Sequence, residues 1–212
     1  MNVNEVSRFK GLLKVLDIIY LIGTIILGLA TIIFIGLTVL VSTLSEDKLL
    51  QVLQSDNGSL SLNVGGANYE FAHDFMINNL TIDKTMFIGI LIIVILNLVI
   101  ALIIVWLTRK LIKGFSNNKV FVIQNGKYIE SIAIFILVLG HTYNVLVSML
   151  GIFINKMTNL SNVLIDQGII SNVNYSIFSI DWNIVLIAIT IWFIGRAFKY
   201  GAFLQDEYDA TV

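Results

Sequence analysis

Cysteine is absent from this chain, which excludes disulfides, zinc fingers, thiolate clusters and cysteine nucleophiles. Proline is absent as well, where about ten would be usual at this length. Proline-kinked helices are therefore excluded, and a transporter built on broken helices is disfavoured. Charged residues make up 13% of the chain, against about 25% in a soluble domain. The net charge of −1 gives no electrostatic footprint for direct nucleic-acid binding. Histidine occurs only twice, as His73 and His141, whereas a metal site needs three or four converging ligands. No G-x-S-x-G, Walker A, H-E-x-x-H or Rossmann fingerprint occurs. These absences predict a protein that is not an enzyme and uses no metal or cofactor.

Apolar surface is what the chain has in abundance: 57% of residues are hydrophobic and the mean hydropathy is +0.90. One soluble core could not absorb so much without exposing sticky patches, so lipid is the expected solvent. A helix needs about 20 apolar residues to cross the hydrocarbon layer. Four stretches qualify and predict spans over residues 15–44, 85–108, 129–155 and 178–204. The fourth has only 14 uncharged residues, 182–195, and is completed by snorkelling of Arg196 and Lys199. Arg8, Lys10 and Lys14 resemble the basic start of a signal peptide, but the apolar run is too long and no A-x-A site follows. An uncleaved anchor is expected.

Basic residues set the expected orientation. The N-terminal segment, the loop at 109–127 and the C-terminus hold ten, against three (Lys48, Lys84, Lys156) in the other two loops. Both termini and the middle loop should be cytoplasmic, with outer loops at 45–84 and 156–181. In the first outer loop, Leu49, Leu50, Val52 and Leu53 suggest a short amphipathic helix after a Ser45 cap. The run SLNVGGANYEF then reads as a hairpin about Gly65-Gly66. It sets Val64 opposite Ala67, Leu62 opposite Tyr69 and Leu60 opposite Phe71, an all-apolar face. In the second loop, Leu160, Val163 and Leu164 suggest a helical turn, and Val173, Tyr175 and Ile177 alternate like a third strand. The fold class expected is an all-α four-helix membrane bundle with a small α+β extracellular cap.

His141 lies at mid-span, where an ionisable group marks a candidate proton relay or ligand site. A structural reading competes: Gly140, Asn144 and Ser148 form a small polar stripe suited to close packing, with Asn97 and Ala101 as its match on helix two. His73 and Asp74 are adjacent but have no further ligands near them in sequence. The middle loop adds Phe115, Val120, Phe121 and Ile123 to its charges, more than lipid anchoring needs. The C-terminal segment carries the opposite charge in Asp206, Glu207 and Asp209, which would project past helix four toward Arg109, Lys110 and Lys113.

These two segments carry a family resemblance. The run Asn118, Lys119, Val120, Phe121, Val122, Ile123, Gln124, Asn125, ending at Ile129, resembles the N-G-x-x-F-t-x-x-N-x-x-x-I box of YoaS-like bacterial membrane proteins. Asn118 and Val122 depart from that box. Phe198, Gly201, Leu204, Gln205, Glu207, Asp209, Thr211 and Val212 look like the family's F-x-x-G-x-x-L-Q-x-E-x-D-x-T-V ending. The resemblance implies four helices and often a neighbouring gene for a small Cro/CI-like DNA-binding protein, and no chemistry. The resulting expectation is a regulatory protein of the bacterial cell membrane that binds an extracellular or membrane ligand and docks a cytoplasmic helix-turn-helix regulator. The candidate docking residues are Phe121, Asn125, Leu204, Gln205, Glu207 and Asp209, the polar site Asn97, His141 and Asn144, and the cap Leu60, Leu62, Val64, Tyr69 and Phe71. Two alternatives are a self-immunity protein that binds a peptide or toxin, and a small transporter or channel subunit. An oligomer is possible under any of the three readings.

Overall fold

With no proline to interrupt them, the apolar segments fold as unbroken helices that overrun the bilayer. A computed structural model describes residues 3–55, 61–64, 67–70, 81–117, 120–169 and 171–211. The elements are α1 (Val3–Thr43), α2 (Glu46–Ser55), β1 (Ser61–Val64), β2 (Ala67–Glu70), α3 (Lys84–Ser116), α4 (Ile123–Thr158), α5 (Leu160–Asp166) and α6 (Trp182–Thr211). Four of them, α1, α3, α4 and α6, are long and apolar enough to cross a membrane. This is the pattern of a multi-pass membrane protein.

All four long helices run past the expected bounds. Helix α1 starts at Val3 rather than 15, and α6 runs from Trp182 to Thr211 rather than over 178–204, so it also begins four residues late. The middle loop expected at 109–127 is mostly helix, because α3 extends to Ser116 and α4 begins at Ile123. Charge misled the boundaries, since it ends a span without ending a helix. Leu13 and Ile112, both beyond the expected spans, are buried and line one recess, so packing carries the helices on.

Helix α1 shows how an all-apolar run chooses its packed face. Leu13, Asp17, Tyr20, Thr24, Leu27, Thr31, Phe34, Thr38 and Val41 are buried or half-buried, at alternating spacings of four and three. That is a heptad seam, the geometry of left-handed helix packing. The opposite face is left to lipid, with Ile32 and Ile33 each 67% exposed. The hydroxyls of Thr24, Thr31 and Thr38 each donate to the carbonyl four residues back at 2.7 Å, which satisfies them without a partner helix.

The chain divides into two compact units. The first comprises Met1–Ile33, Ile95–Tyr143 and Ser179–Val212, and the second Phe34–Val94 and Asn144–Phe178. In the second unit Val41, Leu49 and Leu91 form a buried cluster, so the amphipathic α2 lays its Leu49 face on α1 and α3. Ser45 Oγ accepts from the Lys48 N–H at 3.4 Å, at the start of α2. Strands β1 and β2 pair antiparallel, with Leu62 opposite Tyr69 and Val64 opposite Ala67. Gly65, Gly66, Leu60, Phe71, His73 and Asp74 lie outside the described residues.

The alternation of Val173, Tyr175 and Ile177 does not make a third strand. Residues 171–181 are irregular, and the sheet has two strands. Side chains of α4 hold this segment instead. Ser148 Oγ donates to the Ser176 carbonyl at 2.9 Å. A Cβ on Gly151 would lie 3.1 Å from the Tyr175 ring, so the ring rests where a side chain would be.

Candidate functional site

The first unit brings the two segments singled out in sequence against each other. Helices α4 and α6 cross in backbone contact at Gly126 and Gly195. A Cβ at Gly195 would stand 3.0 Å from both the Glu130 nitrogen and the Gly126 carbonyl oxygen, and one at Gly126 would stand 2.8 Å from the Gly195 carbonyl oxygen. Only hydrogen fits at such a crossing. One turn along from each glycine stand Glu130 on α4 and Lys199 on α6, and they form an ion pair. The other carboxylate oxygen, Oε1, lies 3.1 Å from Arg196 Nε, at ion-pair distance without hydrogen-bond alignment. Glu130 is thus a shared anion for two cations, with a side chain only 15% exposed.

Beside this node is an aromatic cluster. Phe198 of α6 stacks on Phe115 of α3 at 5.9 Å and meets Phe121 of the connecting loop at 5.4 Å. Gly201 leaves the space that Phe121 fills, since a Cβ there would lie 2.8 Å from the ring. Asn125 locks the same loop. Its Nδ2 donates to the Val120 carbonyl at 3.0 Å, its own N–H donates to Val122, and its side chain sits over Gly114.

These contacts divide the expected docking residues. Asn125 is 2% exposed and forms part of the internal lock, so it cannot meet a partner directly. Phe121 packs on Phe198 yet keeps half its surface exposed. Leu204, Gln205, Glu207 and Asp209 are exposed on the last turns of α6, where the expected projecting tail is in fact helix. Helicity is retained because 196–211 contains no proline and only one glycine, Gly201. Two of the basic residues expected to receive those acids are engaged elsewhere. Arg109 pairs with Asp17 at 3.0 Å, and Lys110 Nζ lies 3.5 Å above the Trp106 ring.

The expected polar site has a further member. Thr142 reaches Asn97, with Oγ1 donating to Asn97 Oδ1 at 2.9 Å. His141 is exposed on α4, and Asn144 is half-buried. Gly140 faces α6 rather than α3: a Cβ there would come within 2.5 Å of Ile184. Among the described residues no three His, Asp or Glu side chains are grouped to hold a metal ion.

Sequence reasoning missed the four residues 81–84, which tie three helix ends together in the second unit. Lys84 Nζ donates to the Ser42 and Leu44 carbonyls at 2.8 and 2.6 Å, capping the end of α1. Asp83 Oδ1 accepts from the Met86 N–H at 2.9 Å and caps the start of α3. That hydrogen bond, opposed by burial and helped by Lys156 at 3.4 Å, holds the Asp83 carboxyl below the usual range. Thr81 donates through N–H and Oγ1 to Met157 and Lys156, both at 3.1 Å, closing the end of α4. The sequence signal was an Asp immediately before an apolar run, a helix start that could have been read directly.

Comparison of the chain with protein-family models, curated proteins and solved structures finds no match.

Proposed function

We propose that this chain is a non-enzymatic regulatory protein of a bacterial cell membrane, with both termini in the cytoplasm, that holds a cytoplasmic partner on the end of α6. The overhang of α6 supports this reading most directly. A span of about 20 residues starting at Trp182 ends near Gly201, and about ten residues, or about 15 Å of helix, remain beyond it. At the end of the span and on that overhang Tyr200, Phe203, Leu204 and Tyr208 share one face at helical spacing, each 46–70% exposed. Glu207 stands among them, flanked by Asp206 and Asp209.

An apolar face set in acids is a surface for a basic amphipathic partner, with charge steering approach and apolar area supplying affinity. The YoaS-like resemblance proposes a small helix-turn-helix DNA-binding protein, which has the required basic character. The hairpin of β1 and β2 belongs in this reading to an extracellular cap that receives an external peptide or other ligand.

A photo-crosslinking residue at Tyr208, in intact cells, tests the proposal. A crosslinked DNA-binding protein, lost in Phe203→Ala/Glu207→Lys, is the expected result. Absence of any such crosslink, with deletion instead sensitising cells to a secreted peptide, would favour self-immunity. Ion flux in liposomes that is lost in His141→Ala would favour transport.

A further inference from the structure

We infer that the first unit binds one anionic phospholipid, with an acyl chain in a groove between α4 and α6 and the phosphate on Arg196. The inference is independent of the docking reading and needs only that the helices lie in a bilayer. The groove has a volume of about 160 Å³, and every residue lining it is apolar. Its deepest members are Ala133 and Ala188, 1% and 5% exposed, and Ile134, Leu137 and Ile189 stand higher, 40–56% exposed. Two alanines facing each other keep the helices from filling this space, and hydrocarbon is the natural filler at membrane depth.

Trp192 ends the groove, and the Arg196 guanidinium lies 4.8 Å above its ring. The aliphatic slot and the cation are therefore contiguous. Arg196 meets Glu130 through Nε at 3.1 Å and its side chain remains 58% exposed, which leaves the guanidinium room to meet a phosphate as well.

The local charge selects the sign of the headgroup. Glu130 carries one negative charge against Arg196 and Lys199, which leaves a surplus of one positive charge. Exposed Lys127, seven residues before Ile134 and on the same face of α4, adds to it. The nearest acids on α6, Asp206 and Glu207, lie ten or more residues beyond Arg196, about 15 Å along the helix and past the screening length. The same surplus argues against a second copy of the chain in this groove, because two-fold symmetry would set like charges against each other.

Native mass spectrometry of the full-length protein, delipidated and offered dioleoyl phosphatidylglycerol or dioleoyl phosphatidylcholine, tests the inference. The wild type should retain one phosphatidylglycerol in preference to phosphatidylcholine. Arg196→Gln should lower that preference about fivefold, the contribution of one basic residue at an anionic surface. Ala188→Phe should reduce retention of both lipids by occupying the slot. Ile134→Trp closes the slot from its rim and gives the same readout if Ala188→Phe does not fold. Equal retention of the two lipids by the wild type would overturn the inference. A preference unchanged in the Arg196 and groove variants would do the same and assign the lipid elsewhere, as would dissociation of a dimer by Ile134→Trp with lipid retention intact.

Discussion

Glu130 joins two cations from a neighbouring helix, one turn from a glycine crossing that fixes where those cations stand. Its side chain is 15% exposed and that of Lys199 25%, so this pair is shielded more than a surface ion pair, while Arg196 is open to solvent. Glu130→Gln should therefore lower stability by about 1–3 kcal/mol, mainly through the Lys199 contact. Thermal unfolding in detergent of Glu130→Gln, Lys199→Met and the double variant measures the coupling. Full additivity would show that the pair contributes no interaction energy. In sequence Glu130 served only as the boundary of an apolar stretch. Its role was not legible there because an ion pair depends on which helices are adjacent, and nothing in the spacing of 130, 196 and 199 reports that. Gly126 and Gly195 were equally silent, being indistinguishable from other glycines until the crossing is seen.

Helices were legible as elements wherever length and hydropathy decide, and all four long ones lie where the apolar stretches predicted. Their ends and their packed faces were not. On α1 every second-order cue is swamped by uniform hydrophobicity, and the usual apolar-against-polar contrast that marks a core face is absent. The face is instead marked by three threonines seven residues apart, Thr24, Thr31 and Thr38, modest polar residues turned inward and satisfied by their own backbone. This pattern inverts the rule for soluble helices, because lipid accepts Ile32 and Ile33 more readily than a hydroxyl. Thr31 is 8% exposed in the seam, so Thr31→Leu should overpack it and cost about 1–3 kcal/mol. Ile33→Leu on the opposite face should change stability by less than about 0.5 kcal/mol. Unfolding midpoints of the two variants in one detergent check this; similar losses at both positions would mean that the heptad seam does not distinguish the faces.

For the whole molecule, the decisive quantity is how basic residues divide along the chain. The first unit contains ten of the 13 lysines and arginines, and the second contains three, while each holds seven of the 14 acids. Orientation follows basic residues near span ends and largely ignores acids, so the equal division of acids does not dilute the bias. The first unit should accordingly face the cytoplasm and carry both termini. The absence of cysteine makes this directly measurable, since any single introduced thiol is the only one in the chain. Accessibility has to be controlled: Asn125 is buried in the loop lock and would resist labelling in either orientation, whereas Gln124 is exposed beside it. Asn174, in the second unit, is exposed as well. With a membrane-impermeant maleimide on intact cells, Asn174→Cys should label and Gln124→Cys should not. After permeabilisation both should label, which shows that the Gln124 site was shielded by the membrane and not by folding. Labelling of Gln124→Cys but not Asn174→Cys on intact cells would invert the molecule. The α6 overhang would then lie outside the cell, where no cytoplasmic partner could reach it.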